Sequence, residues 1–336
     1  GLVGSEMCIR DSVVAVTAIL RLGATVVEHN PLYTAAELEP QFNDHGARVA
    51  IVLDRVGETF TSISTCTPLE TVVAVNMLEE VPLRLRAALA LPLPQVKKMR
   101  AELSRPAPST LPWRDFIRQH PRTVHFPRVT QGTTAFILYT SGTSGRPKGA
   151  PLTHGNIVAV LAAGMEWLEN WGAVREKVLG LLPMFHIYGL ALNYAMPLTI
   201  GAQMVLVPAP KPKLYQAAIT KTRPTVLPGV PTLYHAIIEW ALKTKADLSS
   251  IHTSISGAST LPAETIERWE TAAGGRLIEG YGLTETSPIL AGNPLDGTRR
   301  PGYIGLPFPN TEIRIADPDN PARTMPDGEP GELLAR

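Results

Sequence analysis

Three glycines, four serine or threonine hydroxyls and one lysine fall within residues 140–149 of the stretch YTSGTSGRPKGAPLTHGNI, residues 139–157. Gly142, Gly145 and Gly149 carry no Cβ, so neighbouring backbone amides can approach an anion closely. Thr140, Ser141, Thr143 and Ser144 add hydroxyls that can donate to phosphate oxygens or ligate a metal, and Lys148 adds a positive charge. The spacing differs from the nucleotide-triphosphatase loop G-x-x-x-x-G-K-[ST], because Pro147 precedes the lysine and Gly149 follows it. By itself the loop fits an ordinary turn as well as a phosphate cradle of another kind.

A second segment changes the balance. LIEGYGLTETSP, residues 277–288, places Glu279, Gly280, Tyr281, Gly282, Thr284 and Glu285 in a tight run after the apolar GGRLI. The Tyr281 ring can stack on a purine, the Thr284 hydroxyl can bond a phosphate oxygen, and the Glu285 carboxylate suits a hard cation such as magnesium, which prefers oxygen ligands. The structural alternative is a strand end followed by a capped helical turn containing Thr284 and Glu285.

YTSGTSGRPKG, LPMFHIYG, SISGAS, EGYGLTET and GELLAR occur in that order between residues 139 and 336. In this order they resemble the acyl-adenylate-forming (AMP-binding) enzymes, the superfamily of acyl-CoA synthetases, nonribosomal-peptide adenylation domains and luciferases. NPLYTAAEL (residues 30–38), YIGLPFPNTEIRI (residues 303–315) and the basic residues of 83–104 are similar to the long-chain fatty-acid CoA ligases of that superfamily.

The resemblance implies ATP-dependent activation of a fatty acid to acyl-AMP, followed in the full-length parent by transfer to coenzyme A. It implies ATP, Mg2+ and coenzyme A as cofactor and co-substrates. Residues 140–149 would close over the ATP tail, with Thr143 and Glu285 as magnesium ligands. Tyr281, within the segment from Glu279 to Gly282, would stack on adenine. Gly257, Ala258 and Ser259 would flank the base and the acyl group, Thr284 would contact the α-phosphate, and His186 would border the acyl carboxylate. Magnesium and oriented donors would relieve the repulsion between an attacking carboxylate and the phosphorus centre. Two other functions fit the same motifs: an adenylating enzyme that loads a carrier protein, and an inactive nucleotide- or acyl-binding module. One departure is mild, Ser144 standing where the family usually has threonine.

These residues need a scaffold, and the pattern around them supplies one. VVAVTAILRLGATVVEHN, from Val13, reads as an apolar helix ending near Gly23 and then a short buried strand. VAIVL (residues 49–53) and TVVAV (71–75) repeat the buried-strand signature, with the helical TAAELEPQFNDHG before the first of them. Beyond residue 130, AFILYT, EKVLGLLP, AQMVLVP and PTVLPGV continue the series. Alternating helices and strands predict a parallel sheet covered on both faces. The glycine loop is placed between the strand AFILYT and a helix starting at Thr153 or His154.

The expected fold is α/β, the layered αβαβα large domain of adenylate-forming enzymes with part of a small β-subdomain near the C-terminus. Residues 1–12 lack regular periodicity and are expected to be a non-native segment. Residues 13–130 are assigned to a partial first α/β subdomain with a basic insert near 80–120, residues 131–300 to a second α/β subdomain with the phosphate loop, and residues 301–336 to the start of a truncated β-subdomain. By the resemblance the chain is a fragment, expected to bind MgATP weakly and to form little acyl-adenylate alone.

Composition narrows the remaining choices. The 336 residues are 44% hydrophobic and 18% charged, enough for a large core, and 31 basic against 30 acidic residues leave a net +1 with no global pull toward nucleic acid. Cys8 and Cys66 are too few for a disulfide framework, which predicts a cytoplasmic location. The apolar run at residues 189–207 has the length of a membrane span but is broken by Pro197 and Gly201 and reads as a buried helix followed by a buried strand. Residues 81–106 carry Arg84, Arg86, Lys97, Lys98, Arg100 and Arg105 against Glu102 alone. That stretch is either a solvated surface helix with a proline hinge or a basic amphipathic patch in peripheral contact with a membrane.

Overall fold

The computed structural model describes residues 2–4, 10–79, 81, 83–119, 126–140, 147–168 and 175–336. The chain divides into two compact units, Gly1–Gly155 with Pro183–His186, and Asn156–Leu182 with Ile187–Arg336.

The first unit is built on strands β1 (Leu2–Gly4), β2 (Val26–Glu28), β3 (Val49–Leu53), β4 (Thr71–Val75), β5 (Leu111–Pro112), β6 (Thr134–Thr140) and β7 (Lys148–Thr153). They lie in the order β5-β4-β3-β1-β2-β6-β7, parallel except for the last pair. Helices α1 (Arg10–Arg21), α2 (Ala35–His45), α3 (Gly57–Ser62), α4 (Leu83–Leu89), α5 (Pro94–Leu103) and α6 (Trp113–Gln119) complete it. Alternation along β3 explains why its five residues are all apolar. Ala50 and Val52 pack with Leu38 and Phe42 of α2 and Phe60 of α3, while Ile51 and Leu53 are buried without joining that cluster. The start of α2 is fixed by Glu37, whose carboxylate accepts both the backbone N–H and the hydroxyl of Thr34 at 2.8 Å.

Regular structure begins before Val13: β1 sits between β2 and β3, and α1 starts at Arg10, so residues 2–4 and 10–12 are structured although the sequence shows no periodicity there. A three-residue strand is too short for alternation to show, and its pairing is long-range. The boundary expected at residue 130 falls inside this unit, because β6 joins the first sheet by parallel pairing with β2, Val26 opposite Phe136.

The second unit contains β8 (Lys177–Gly180), β9 (Gln203–Leu206), β10 (Val226–Gly229), β11 (Thr253–Ser256), β12 (Arg276–Tyr281), β13 (Ala291–Gly292) and β14 (Leu306–Pro307). Their order is β14-β13-β12-β11-β10-β8-β9, with β13 and β14 antiparallel additions at one end. Helix α7 (His154–Trp167) precedes β8, and α8 (Ile187–Gly189) passes through a π-helical stretch (Leu190–Ala195) into α9 (Met196–Ile200). The run at 189–207 is therefore buried helix and then strand, as its proline and glycine required. Helices α10 (Pro212–Thr222), α11 (Pro231–Thr244) and α12 (Ala263–Ala273) cover one sheet face, where Tyr215, Tyr234, Ile237 and Trp269 meet Leu179, Leu227 and Leu277. Ile255 and Ile278 pack instead against Leu168, Trp167 and Leu192. A separate three-stranded sheet, β15 (Ile313–Asp317), β16 (Asn320–Thr324) and β17 (Glu332–Ala335), is antiparallel, in keeping with a small β-subdomain near the C-terminus.

Among the described residues no helix is long and apolar enough to cross a membrane.

Candidate active site

In the second unit, β11 and β12 are adjacent and parallel with Ser256 opposite Glu279, so two of the expected segments leave the same sheet edge side by side. Ligands of open α/β sheets characteristically sit outside the carboxyl ends of such strands. From β11 the chain enters Gly257, Ala258 and Ser259; Gly257 is buried, and the other two are exposed. Ala258 has φ +67°, a left-handed conformation that costs a non-glycine residue energy and makes the turn after Gly257 sharp. A Cβ on Gly257 would lie 3.2 Å from Tyr188 Cζ and 3.5 Å from the Gly280 carbonyl, so the glycine lets these segments approach.

Tyr188 was not singled out by residue type, yet it anchors this edge. Its buried hydroxyl lies 2.6 Å from the Ile255 carbonyl and 3.2 Å from that of Gly229, joining the ends of β10 and β11. Burial raises its pKa, so it stays a neutral donor. Tyr234 does the same one layer down, with Leu227 O at 2.7 Å and Ile255 O at 2.8 Å. The only signal in the sequence was the position of Tyr188 two residues after His186.

From β12 the chain runs through Glu279, Gly280, Tyr281 and Gly282 into a single 3-10 turn, Thr284–Thr286. Glu279 is buried, and its Oε1 accepts the Leu261 N–H at 3.2 Å. Burial pushes its carboxyl upward, partly offset by that bond. Its side chain braces the turn that carries Gly257 to Ser259. Gly282 is backed by the main chain: an added Cβ would fall 1.6 Å from the Pro288 carbonyl oxygen. Tyr281 is half-buried, Thr284 is half-buried and Glu285 is exposed. The turn is closed by the Leu283 N–H donating to Thr286 Oγ1 at 2.9 Å. Glu285 has no ion-pair partner among the described residues, and no described group of three His, Cys, Asp or Glu side chains forms a ready metal centre. An exposed, unpaired carboxylate next to a threonine fits a magnesium ion that takes most of its other oxygens from phosphates and water.

In the first unit, Ser141, Gly142, Thr143, Ser144 and Gly145 lie outside the described residues. Their flanks correct one expectation: the loop joins two antiparallel strands, β6 and β7, with Thr140 opposite Lys148 and Tyr139 opposite Gly149, and α7 begins only at His154. The residues 148–153 alternate weakly and contain Pro151, which hides a strand in the sequence; β7 is an edge strand, where a missing N–H is tolerated. Lys148 is exposed. Gly149 is required by packing, since a Cβ there would lie 2.9 Å from Ile137 Cγ2 and 3.2 Å from Tyr139 Cζ. Tyr139 in turn donates to Asp44 Oδ2 at 2.6 Å, which holds the strand leading into the loop against α2. His186 also belongs to this unit; its N–H donates to the Pro183 carbonyl at 3.3 Å, its side chain is exposed, and desolvation lowers its pKa.

Comparison with known proteins agrees with this arrangement. The family model described as AMP-binding enzyme matches residues 9–336. A long-chain-fatty-acid–CoA ligase of Bacillus subtilis is 33% identical over 329 residues, which is 97% of this chain and 58% of that protein. One from Escherichia coli O6:H1 is 32% identical, over 96% of this chain and 57% of its own length. Among solved structures, an anthranilate CoA ligase in complex with anthranoyl-AMP superposes with a TM-score of 0.81 at 26% identity, covering all of this chain and 58% of that one. The chain thus spans somewhat less than three-fifths of the length of these three relatives. With the strand-end turns, the glycine loop and a family match over nearly its whole length, the chain belongs to the AMP-binding, adenylate-forming enzymes.

Proposed function

We propose that this chain carries the nucleotide- and acid-binding part of a long-chain fatty acyl-CoA synthetase, an AMP-forming acid–thiol ligase. The observation that supports the reading is the parallel pairing of β11 with β12, Ser256 opposite Glu279, so that the 257–259 turn and the segment leading to Tyr281, Thr284 and Glu285 leave the same end of the sheet. The identity to long-chain ligases supports the choice of acid.

In this reading Tyr281 offers its ring face to adenine, and Thr284 donates to the α-phosphate. Thr140, Ser141, Gly142, Thr143, Ser144, Gly145 and Lys148 hold the β- and γ-phosphates, and Glu285 with Thr143 ligates magnesium. His186 lies beside the acid carboxylate. Magnesium supplies charge neutralisation to the triphosphate. The carboxylate oxygen attacks the α-phosphorus, the bond to the bridging oxygen breaks, and pyrophosphate leaves; the acyl-AMP then gives its acyl group to the coenzyme A thiol in the whole protein. Fixed donors favour the first step because charge develops on oxygens they already face. The basic residues of α4 and α5 are read as a peripheral membrane contact on the cytoplasmic side.

The test is acid-dependent exchange of labelled pyrophosphate into ATP by the whole protein, with dodecanoate, benzoate and acetate as acids. Exchange driven by dodecanoate is expected. Exchange only with short or aromatic acids removes the fatty-acid assignment, and replacement of coenzyme A by a carrier protein as acceptor removes the synthetase assignment.

A further inference from the structure

The α4–α5 hairpin encloses a feature that the adenylation chemistry does not use. A cavity of about 200 Å³ opens between the loop after β4 and the two helices. Arg86 of α4 and Arg100 of α5 both line it, with Asn76 beside them and Leu78, Leu89 and Ala90 as apolar wall. Among the described residues the one acid on its rim is Glu79, whose carboxylate lies 2.7 Å from Arg114 Nε and is thereby neutralised. Arg86 and Arg100 thus line one small cavity, and among the described residues neither has a carboxylate partner. Two like charges brought together without an anion repel, and a planar guanidinium matches phosphate oxygens in a fork.

The outside of the hairpin has a second, independent character. Leu83 is 80% exposed, and Leu91, Leu93 and Met99 each expose half or more of their surface, although large apolar side chains are normally scattered singly. They alternate with Arg84, Lys97 and Lys98, which are exposed. Apolar side chains set among uncompensated basic ones match a bilayer interface, where the former enter the acyl boundary and the latter meet anionic headgroups. A protein partner would need a dry apolar core, and this surface has cations in its middle.

We propose that the α4–α5 hairpin docks on an anionic phospholipid surface, with one lipid phosphate seated between Arg86 and Arg100 and the exposed leucines inserted beside it. This rests on the reading of the hairpin as a membrane contact and adds a defined headgroup site to it. The phosphate diester occupies the basic side of the cavity, and its glycerol ester lies along Leu78, Leu89 and Ala90.

Flotation of the protein with phosphatidylcholine vesicles, and with the same vesicles carrying phosphatidylglycerol, tests both parts. Binding is expected only to the anionic vesicles and should weaken as salt is added. Arg86→Gln with Arg100→Gln should lower the partition coefficient roughly thirtyfold or more. Lys97→Gln with Lys98→Gln removes the same charge from the same hairpin outside the cavity and should cost several-fold less. All four side chains are exposed, so circular dichroism and urea midpoints should be unchanged and exclude misfolding as the cause. Excess soluble glycerol phosphate should displace little, because it cannot insert. Equal binding to neutral vesicles overturns the membrane contact itself. Equal losses from the two pairs overturn the cavity alone, and full displacement by glycerol phosphate makes it a site for a soluble phosphate.

Discussion

The Nε2 atoms of His29 and His45 lie 3.1 Å apart, and the Ala47 N–H donates to His45 Nδ1 at 3.0 Å. His45 Nδ1 must therefore accept, which places the proton on its Nε2 and makes His29 Nε2 the acceptor; the hydrogen bond needs both rings neutral. Tyr139, which leads into the glycine-rich loop, stacks on His29 at 5.8 Å between centroids.

This pair gives the fold an acid sensitivity. Burial, with His45 nearby, lowers the His29 pKa from 6.5 to about 3. Burial lowers that of His45 to about 4, opposed by the Asp44 carboxylate. Below pH 6.5 the unfolded chain takes up these protons first, so stability present at neutral pH is lost as pH falls toward 4 and 3. The unfolding free energy from urea titration should drop between neutral pH and about pH 5, with a slope of up to about 1.4 kcal/mol per pH unit for each proton. His29→Gln should flatten that slope, and an unchanged slope would assign the effect to other groups.

Alanine at Gly282 and at Gly274 should differ in its effect on MgATP binding. Alanine at Gly282 would place its Cβ on the Pro288 carbonyl, so the Tyr281–Glu285 turn has to move. A loss of about 1–3 kcal/mol in stability is expected, with loss of MgATP affinity by calorimetry. Gly274 has φ +76° and nothing within 4 Å, so alanine there costs about 1 kcal/mol in urea unfolding and leaves MgATP binding unchanged.

Glu285→Ala tests the magnesium ligand. The side chain is exposed and has no ion pair among the described residues, so the thermal midpoint should stay within error. A unit charge pair at about 4 Å near a surface is worth on the order of 4 kcal/mol, so pyrophosphate exchange should fall by about two to three orders of magnitude. Exchange at the parental rate removes Glu285 from the site.

Acid preference should rise with chain length. Gly257, Ala258 and Ser259 are small, and Ala258 and Ser259 are exposed, leaving room for an alkyl chain. Each buried methylene contributes about 0.8 kcal/mol, about fourfold in kcat/KM, until the chain outruns its site. A whole protein that prefers acetate to dodecanoate contradicts this.

Local sequence determined most of the secondary structure. Short apolar runs rich in β-branched residues, such as Val49–Leu53, favour inner strands, and the capped TAAELEPQF pattern favours an amphipathic helix. The proposed roles of Tyr281, Thr284 and Glu285 came from their residue types and from the motif around them. What the tertiary structure decided were the relationships that depend on distant partners. The strand at 148–153 exists because it pairs with β6, against its own weak alternation and Pro151. Tyr188 acquires its role by reaching carbonyls of residues 229 and 255. Arg86 and Arg100 become a pair only when two helices fold beside β4. Periodicity records which face a residue presents; it does not record what that face will meet.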